Sequence, residues 1–122
     1  MFKKFTQKKE LDKVNQAFKQ GGAYLTYILI TCMERNVEYF EDHFTLREKI
    51  TTMLDKGLEF SEKGNERVAY IHFREGLEYI SKEYPELIDN DEDLLDTVSQ
   101  AMDYEKAEIN PTWLAYKEKY KV

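Results

Sequence analysis

Two helical patterns joined by a Gly-Asn turn, within residues 53–84, constrain the fold of this chain more than any other stretch. The second pattern places apolar and small residues on one helical face, at intervals of three and four: Ala69, Phe73, Gly76, Leu77, Ile80 and Tyr84. Gly64 tolerates the left-handed conformation that ends a helix, and Asn65 can cap the next helix. The stretch therefore predicts a helical hairpin, with Gly57 allowing its two helices to approach closely.

This hairpin resembles a single tetratricopeptide repeat, the helix-turn-helix unit of many peptide-binding proteins. The matching positions are Gly57, Phe60, Gly64, Ala69, Phe73, Gly76 and Leu77. Two features depart from the family: Ser81 stands where the repeat has Pro, and no second copy follows at the period of about 34 residues. The resemblance covers residues 53–84 only, and it implies a peptide-binding groove on the hairpin. Because one repeat cannot bury its own face, other helices of the chain would have to cover it.

Composition favours one helical domain that spans residues 1–122. The hydrophobic fraction is 42%, with seven Phe, nine Tyr and one Trp, which is enough to build a core. Only five Gly and two Pro interrupt the chain, and this scarcity favours long helices over many short strands.

Helical periodicity and capping signals divide the domain into five or six helices. A lysine-rich first helix is expected to end at Gly21-Gly22. The next segment, residues 23–44, is apolar on two sides, so it should be the central helix with neighbours on both sides. Further boundaries are predicted at the Thr45–Glu48 capping box, Pro85, Asn90 or Asp91, and Asn110-Pro111. The predicted fold class is all-α, an irregular antiparallel bundle around a central helix 23–44.

Charge is distributed unevenly along the chain. Residues 1–22 contain six lysines and two acids, a net charge of +4. Residues 83–108 contain ten acids and one lysine, a net charge of −9, and the whole chain carries −6. A basic arm could touch nucleic acid or a membrane surface, but a chain this acidic is expected to repel either one, so we do not expect a nucleic-acid partner.

The acidic segment, residues 83–108, is the predicted docking surface for a basic protein partner. The candidate partner-binding residues are Asp91, Glu92, Asp93, Asp96, Asp103 and Trp113. The carboxylates would steer the partner, and tryptophan is common in interface hot spots. Two alternatives stay open: the acids can serve only solubility and the helix dipole, and Trp113 can instead dock the last helix onto the core.

The first helix has two interpretations. Phe2, Phe5 and the lysines could form an amphipathic arm that anchors the protein at a surface. The favoured interpretation is a first bundle helix with a solvated lysine face.

No catalytic residue, cofactor or metal is predicted. The chain lacks a Gly-rich phosphate loop, a cysteine pair and zinc-type histidine spacing. Neither His43 nor His72 has a carboxylate three residues before it, as carboxylate-bridged metal bundles require. Cys32 lies in an apolar run and is expected to be a buried small hydrophobe.

These features favour a non-enzymatic protein-binding module, comparable with acidic inhibitor or immunity proteins that dock on a basic partner. One alternative is an adaptor that binds peptides through the tetratricopeptide-like hairpin, and another is a bundle enzyme or ligand-binding protein with a site near His72. The apolar cluster Tyr24–Met33 is too short to span a bilayer. Since the start of the sequence also lacks a signal-peptide pattern, a cytoplasmic location is expected.

Overall fold

Helices account for nearly every residue of the computed structural model, which describes residues 2–122 and the side chains of residues 4–122. The longer helices are α1 (Phe2–Arg35), α3 (Phe44–Glu62), α4 (Glu66–Glu83), α6 (Glu92–Tyr104) and α7 (Asn110–Tyr120). Two short helices, α2 (Val37–Asp42) and α5 (Glu86–Asp89), lie in the connections, and a π-helical segment (Glu105–Ile109) joins α6 to α7. Residues 2–122 contain no strand, which confirms the predicted all-α bundle.

The central helix is α1, which continues through the two glycines that were expected to end the first helix. That prediction is wrong because both glycines are buried against large side chains. A Cβ on Gly21 would lie 2.9 Å from the ring of Tyr70, and one on Gly22 would lie 3.4 Å from the ring of Phe73. This packing offsets the helix-propensity cost of glycine, about 1 kcal/mol each. The predicted helix 23–44 is therefore the second half of α1, followed by α2.

The segment from α6 to α7 lies beside α1 and runs in the opposite direction. Near the middle of α1, the ring of Tyr24 packs against Tyr104, with 5.6 Å between centroids. Near its start, Nε2 of Gln7 donates a hydrogen bond to the hydroxyl of Tyr116 at 3.3 Å. One side of α1 is therefore covered along most of its length.

The predicted hairpin is formed by α3 and α4. Gly64 has a φ of +80°, and the side chain of Asn65 accepts a hydrogen bond from the amide of Val68 at 3.4 Å, which confirms the predicted turn and cap. Gly57 makes room for Phe73, because a Cβ at Gly57 would come within 3.0 Å of three carbons of that ring. Any closely packed helix pair can show this geometry, so the tetratricopeptide resemblance stays a prediction.

Helix α4 packs against α1 and runs in the same direction. The ring of Phe18 packs against Tyr70 at 5.6 Å, and further along both helices Leu29 fills the space beside Gly76. The buried side chains form one cluster that draws on all the longer helices. Its largest fully buried members are Leu25, Ile28, Leu29, Leu46, Ile50, Ile80, Leu94 and Ile109.

Two predicted helix starts are wrong. Helix α3 begins at Phe44, with His43 as its N-cap, rather than after Thr45. The carbonyl of His43 accepts from the amide of Arg47 at 3.0 Å, and this bond places the first helical turn before Thr45. Asn110 does not cap α7, since the chain arrives there already helical and leaves no orphan amides to satisfy. By contrast, α4 ends at Glu83, just before Pro85, as predicted.

Candidate protein-binding surface

Asp91 starts α6 and is bound by an arginine from the end of α1. Its side chain accepts from the amide of Leu94 at 3.2 Å, which confirms the predicted cap. Nη1 of Arg35 donates to both carboxylate oxygens of Asp91 at 3.0 Å. Hydrogen bonds from Arg35 and then from the Leu94 amide hold the pKa of Asp91 below its ordinary value of 3.8. This carboxylate therefore already has an internal role.

Asp93 shares the same arginine. Nη2 of Arg35 donates to Oδ2 of Asp93 at 3.0 Å, and the hydroxyl of Tyr27 donates to the same oxygen at 3.2 Å. Two of the predicted docking residues, Asp91 and Asp93, are thus directed toward α1. Their bonds fix the start of α6 against the end of α1.

Glu105, in the π-helical segment, has the most enclosed carboxylate of these networks. It accepts from the hydroxyl of Tyr70 at 2.6 Å and from Nε of Arg74 at 2.9 Å, and its side chain is only 18% exposed. Burial raises its pKa, but the hydrogen bonds from Arg74 and then Tyr70 outweigh burial and leave the pKa below the ordinary value of 4.5. This network locks the π-helical segment onto α4. We call Asp91, Asp93 and Glu105 the inner edge of the acidic segment.

The sequence did not identify Arg35, Tyr70 and Arg74 as partners of these acids. They lie 31 to 58 residues away along the chain. No local spacing rule connects residues at such separations, so only the fold could show that Arg35 and Arg74 partly neutralise the inner edge.

Glu92, Asp96 and Asp103 lie together on the solvent-exposed side of α6, opposite the buried Leu94 and Ala101. Their spacing of four and then seven residues places them in one line on a helix, about 16 Å long at 1.5 Å per residue. All three are exposed, whereas Leu94 and Ala101 on the other side of α6 are buried. Among residues 4–122, none of the three forms an ion pair. We call these residues the outer face.

Trp113 packs onto the core and lies apart from the outer face. Its ring meets Phe18 edge-on at 6.0 Å and stacks on Tyr116 at 6.1 Å. The guanidinium of Arg67 lies 5.1 Å from the ring centroid and Nζ of Lys117 lies 5.4 Å from it. Trp113 therefore docks α7 against α1 and α4. The six candidates do not form one surface.

The two histidines are held in the same way, each bonded to a carbonyl one turn earlier. Nδ1 of His72 lies 2.8 Å from the carbonyl oxygen of Val68, and its ring stacks on Phe60 with 5.2 Å between centroids. Nδ1 of His43 lies 2.8 Å from the carbonyl oxygen of Tyr39. Because a carbonyl only accepts, each Nδ1 carries the proton in this arrangement. Both imidazoles are half-buried side chains fixed by their own helices.

Cys32 is fully buried, as expected. Burial, and then the negative charge of Asp91, raises the pKa of its thiol to about 11. Such a thiol is almost entirely protonated near neutral pH, so it is a poor nucleophile. In the part of the chain that the structure describes, no group of three or more His, Cys, Asp or Glu residues is arranged to hold a metal ion.

An open cleft of about 320 Å³ lies between α1 and α3, above α4. Its floor is formed by Gly22, Ala69 and Phe73, and Leu58 stands in its wall with 45% of its surface exposed.

Comparison of the chain with protein families, curated proteins and solved structures finds no match in any of the three. None of the helices within residues 2–122 has both the length and the hydropathy needed to cross a bilayer.

Proposed function

We propose that this protein is a non-enzymatic protein-binding module whose outer face docks on a basic protein partner. One observation carries the proposal: the acidic segment is divided into two sides. The carboxylates that the fold uses are on the inner edge, where Arg35 and Arg74 bind them. The outer face has no such partner among residues 4–122, although its three like charges repel one another.

The shape of the outer face suits an elongated basic partner. Three carboxylates along about 16 Å can pair with lysines or arginines on one helix or strand of a partner. Leu95 lies between Glu92 and Asp96 in the helix and is 46% exposed. It offers an apolar contact beside the charges, as protein interfaces require.

The test compares two triple variants that change the net charge equally. The outer-face variant is Glu92→Gln, Asp96→Asn and Asp103→Asn. The matched control is Glu48→Gln, Asp55→Asn and Glu62→Gln, three exposed acids of α3 that form no ion pair among the described residues. Tagged wild type and both variants are used to capture proteins from the native cell, and the captured proteins are identified by mass spectrometry. We expect a basic protein that wild type and control capture and the outer-face variant loses. Equal capture by all three would contradict the proposal.

The cleft between α1 and α3 favours a second candidate, an adaptor that binds an apolar peptide segment. Binding there would depend on Leu58 and would change little with salt, whereas docking on the outer face would weaken as salt rises. A Leu58→Glu variant that loses the captured partner, with the outer-face variant retaining it, would favour the adaptor.

We also propose a cytoplasmic location. The chain has a single cysteine, Cys32, so its fold needs no oxidising compartment to form an internal disulfide. Fluorescence microscopy of the tagged full-length protein is the test.

A further inference from the structure

The first turns of α1 are fixed to the rest of the bundle on one side only. There, Gln7 bonds to Tyr116, and the carboxylate of Glu10 pairs with Nζ of Lys119 at 2.6 Å. Val14, one turn later, is buried. The opposite side of this segment points away from α7. The same contacts with α7 keep this segment helical and leave its opposite side exposed to solvent.

This outward side combines lysines with one exposed aromatic ring. Phe5 has 69% of its surface exposed, and Lys8 and Lys9 follow it at the helical spacings of three and four residues. Lys4 is exposed as well, and within residues 4–122 none of these three lysines forms an ion pair. Asp12 is the one acid on this side. We call the exposed residues Lys4, Phe5, Lys8 and Lys9 the basic face.

The negative charge of the whole chain does not cancel this local positive charge. Tyr24, which packs beside the end of α6, lies 15 residues beyond Lys9 along α1. At 1.5 Å per residue, that separates the basic face from Asp103 by about 22 Å. The Debye length at physiological ionic strength is about 8 Å. An anion near the basic face therefore responds mainly to Lys4, Lys8, Lys9 and the neighbouring Asp12, a local net charge of +2.

We propose that the basic face binds reversibly to the surface of anionic phospholipid membranes, with α1 lying along the surface and Phe5 at the headgroup boundary. The basic face runs about 9 Å along a helix about 10 Å wide, so it covers on the order of 100 Å², far less than the roughly 800 Å² per partner of a standard protein interface. A lipid surface needs no complementary pocket. It attracts clustered lysines and takes up an interfacial aromatic side chain.

This proposal is independent of the proposed function, because it uses the start of α1 instead of α6 and the opposite charge. One helix face with a single aromatic ring gives weak binding that requires anionic lipid and falls with salt. The acidic outer face would be repelled by the membrane and remain available for a protein partner.

The test is flotation with vesicles of phosphatidylcholine alone and of phosphatidylcholine mixed with phosphatidylserine, at low and physiological salt. One variant carries both Lys8→Glu and Lys9→Glu. Its control carries both Lys56→Glu and Lys82→Glu, which change the net charge by the same amount. We also compare Phe5→Ser with Phe44→Ser, since Phe44 is 67% exposed at a site away from the basic face. Circular dichroism confirms that each variant is helical before it is used.

We expect wild type to float only with the phosphatidylserine vesicles. The Lys8 and Lys9 double variant should bind at least about tenfold more weakly, and Phe5→Ser about fivefold more weakly, while both controls bind as wild type does. The proposal is overturned if wild type ignores anionic vesicles or if the lysine control loses as much binding. It is also overturned if the basic face binds single-stranded RNA and no vesicle.

Discussion

Asp91, Asp93 and Glu105 on one side of the acidic segment are chemically similar to Glu92, Asp96 and Asp103 on the other, but their surroundings differ. Arg35 and Arg74 bind the three on the inner edge, and the Tyr27 and Tyr70 hydroxyls add hydrogen bonds. The three on the outer face form no ion pair among residues 4–122, whereas Asp93, although also exposed, is bound by Arg35 and Tyr27. Carboxylates that bind arginines within the fold contribute to its stability. The count of ten acids in residues 83–108 therefore overstates the charge available to a partner. The comparison predicts that substitutions on the inner edge lower stability, whereas substitutions on the outer face weaken partner binding.

The largest loss of stability is expected away from both sides, at Phe73, which is 4% exposed and fills the space beside Gly57. Phe73→Ala should lower the free energy of unfolding by about 3–5 kcal/mol, through lost burial and the cavity left behind. Denaturant melts measure this loss of unfolding free energy. Each substitution in the acidic segment is expected to cost less. Phe44→Ala, at an exposed site, should change it by less than about 0.5 kcal/mol. A loss below about 1 kcal/mol at Phe73 would show that the core is assigned incorrectly.

On the inner edge, Glu105→Ala should cost about 2 kcal/mol, because it leaves Nε of Arg74 and the Tyr70 hydroxyl without their acceptor in a partly buried site. Glu108→Ala is the matched control, since Glu108 is exposed in the same π-helical segment. Denaturant melts should show the control unchanged. Equal losses for the two variants would remove the distinction between the sides.

The pH dependence of stability provides a second test of Glu105. A carboxylate whose pKa is lower in the folded protein stabilises it above the ordinary pKa of 4.5, and that contribution is lost as the pH falls through the folded-state pKa. Thermal melts of wild type should therefore show stability falling below about pH 4.5. Glu105→Gln should flatten this decline. A decline that Glu105→Gln does not alter would contradict the assignment.

A smaller loss is expected at Asp91. Asp91→Ala should cost about 1 kcal/mol through loss of the cap of α6. Asp91→Asn keeps a capping side chain and removes the charge, so it should cost less and isolate the ion pair with Arg35. Denaturant melts of both variants measure the difference, with Asp96→Ala as the neutral control. If Asp96→Ala is as costly as Asp91→Ala, the outer face also has a structural role.

The helices themselves were largely predictable from the sequence, because apolar periodicity and the signals at Gly64, Asn65 and Asp91 act locally. The two glycines in α1 were misread, since their propensity cost is offset by rings from α4 and by Ile109, which no local window includes. The candidate site was predicted as one acidic patch. Its division into two sides depends on Arg35 and Arg74, which only the tertiary fold brings to the acids.

The smallest effect on stability is expected from the outer-face variant, Glu92→Gln with Asp96→Asn and Asp103→Asn. None of these carboxylates holds an ion pair among residues 4–122, so the free energy of unfolding should stay within about 0.5 kcal/mol of wild type. Denaturant melts check this. A larger loss would mean that binding data on this variant reflect unfolding.

The most direct test of the central claim is the association rate of the captured basic partner with wild type, the outer-face variant and the α3 control, measured by stopped flow over a range of salt. We predict that the outer-face variant associates about tenfold more slowly than wild type at low salt. The difference should shrink as salt rises, while the control follows wild type throughout. An outer-face variant that associates at the wild-type rate in low salt would contradict the claim that this face docks the partner.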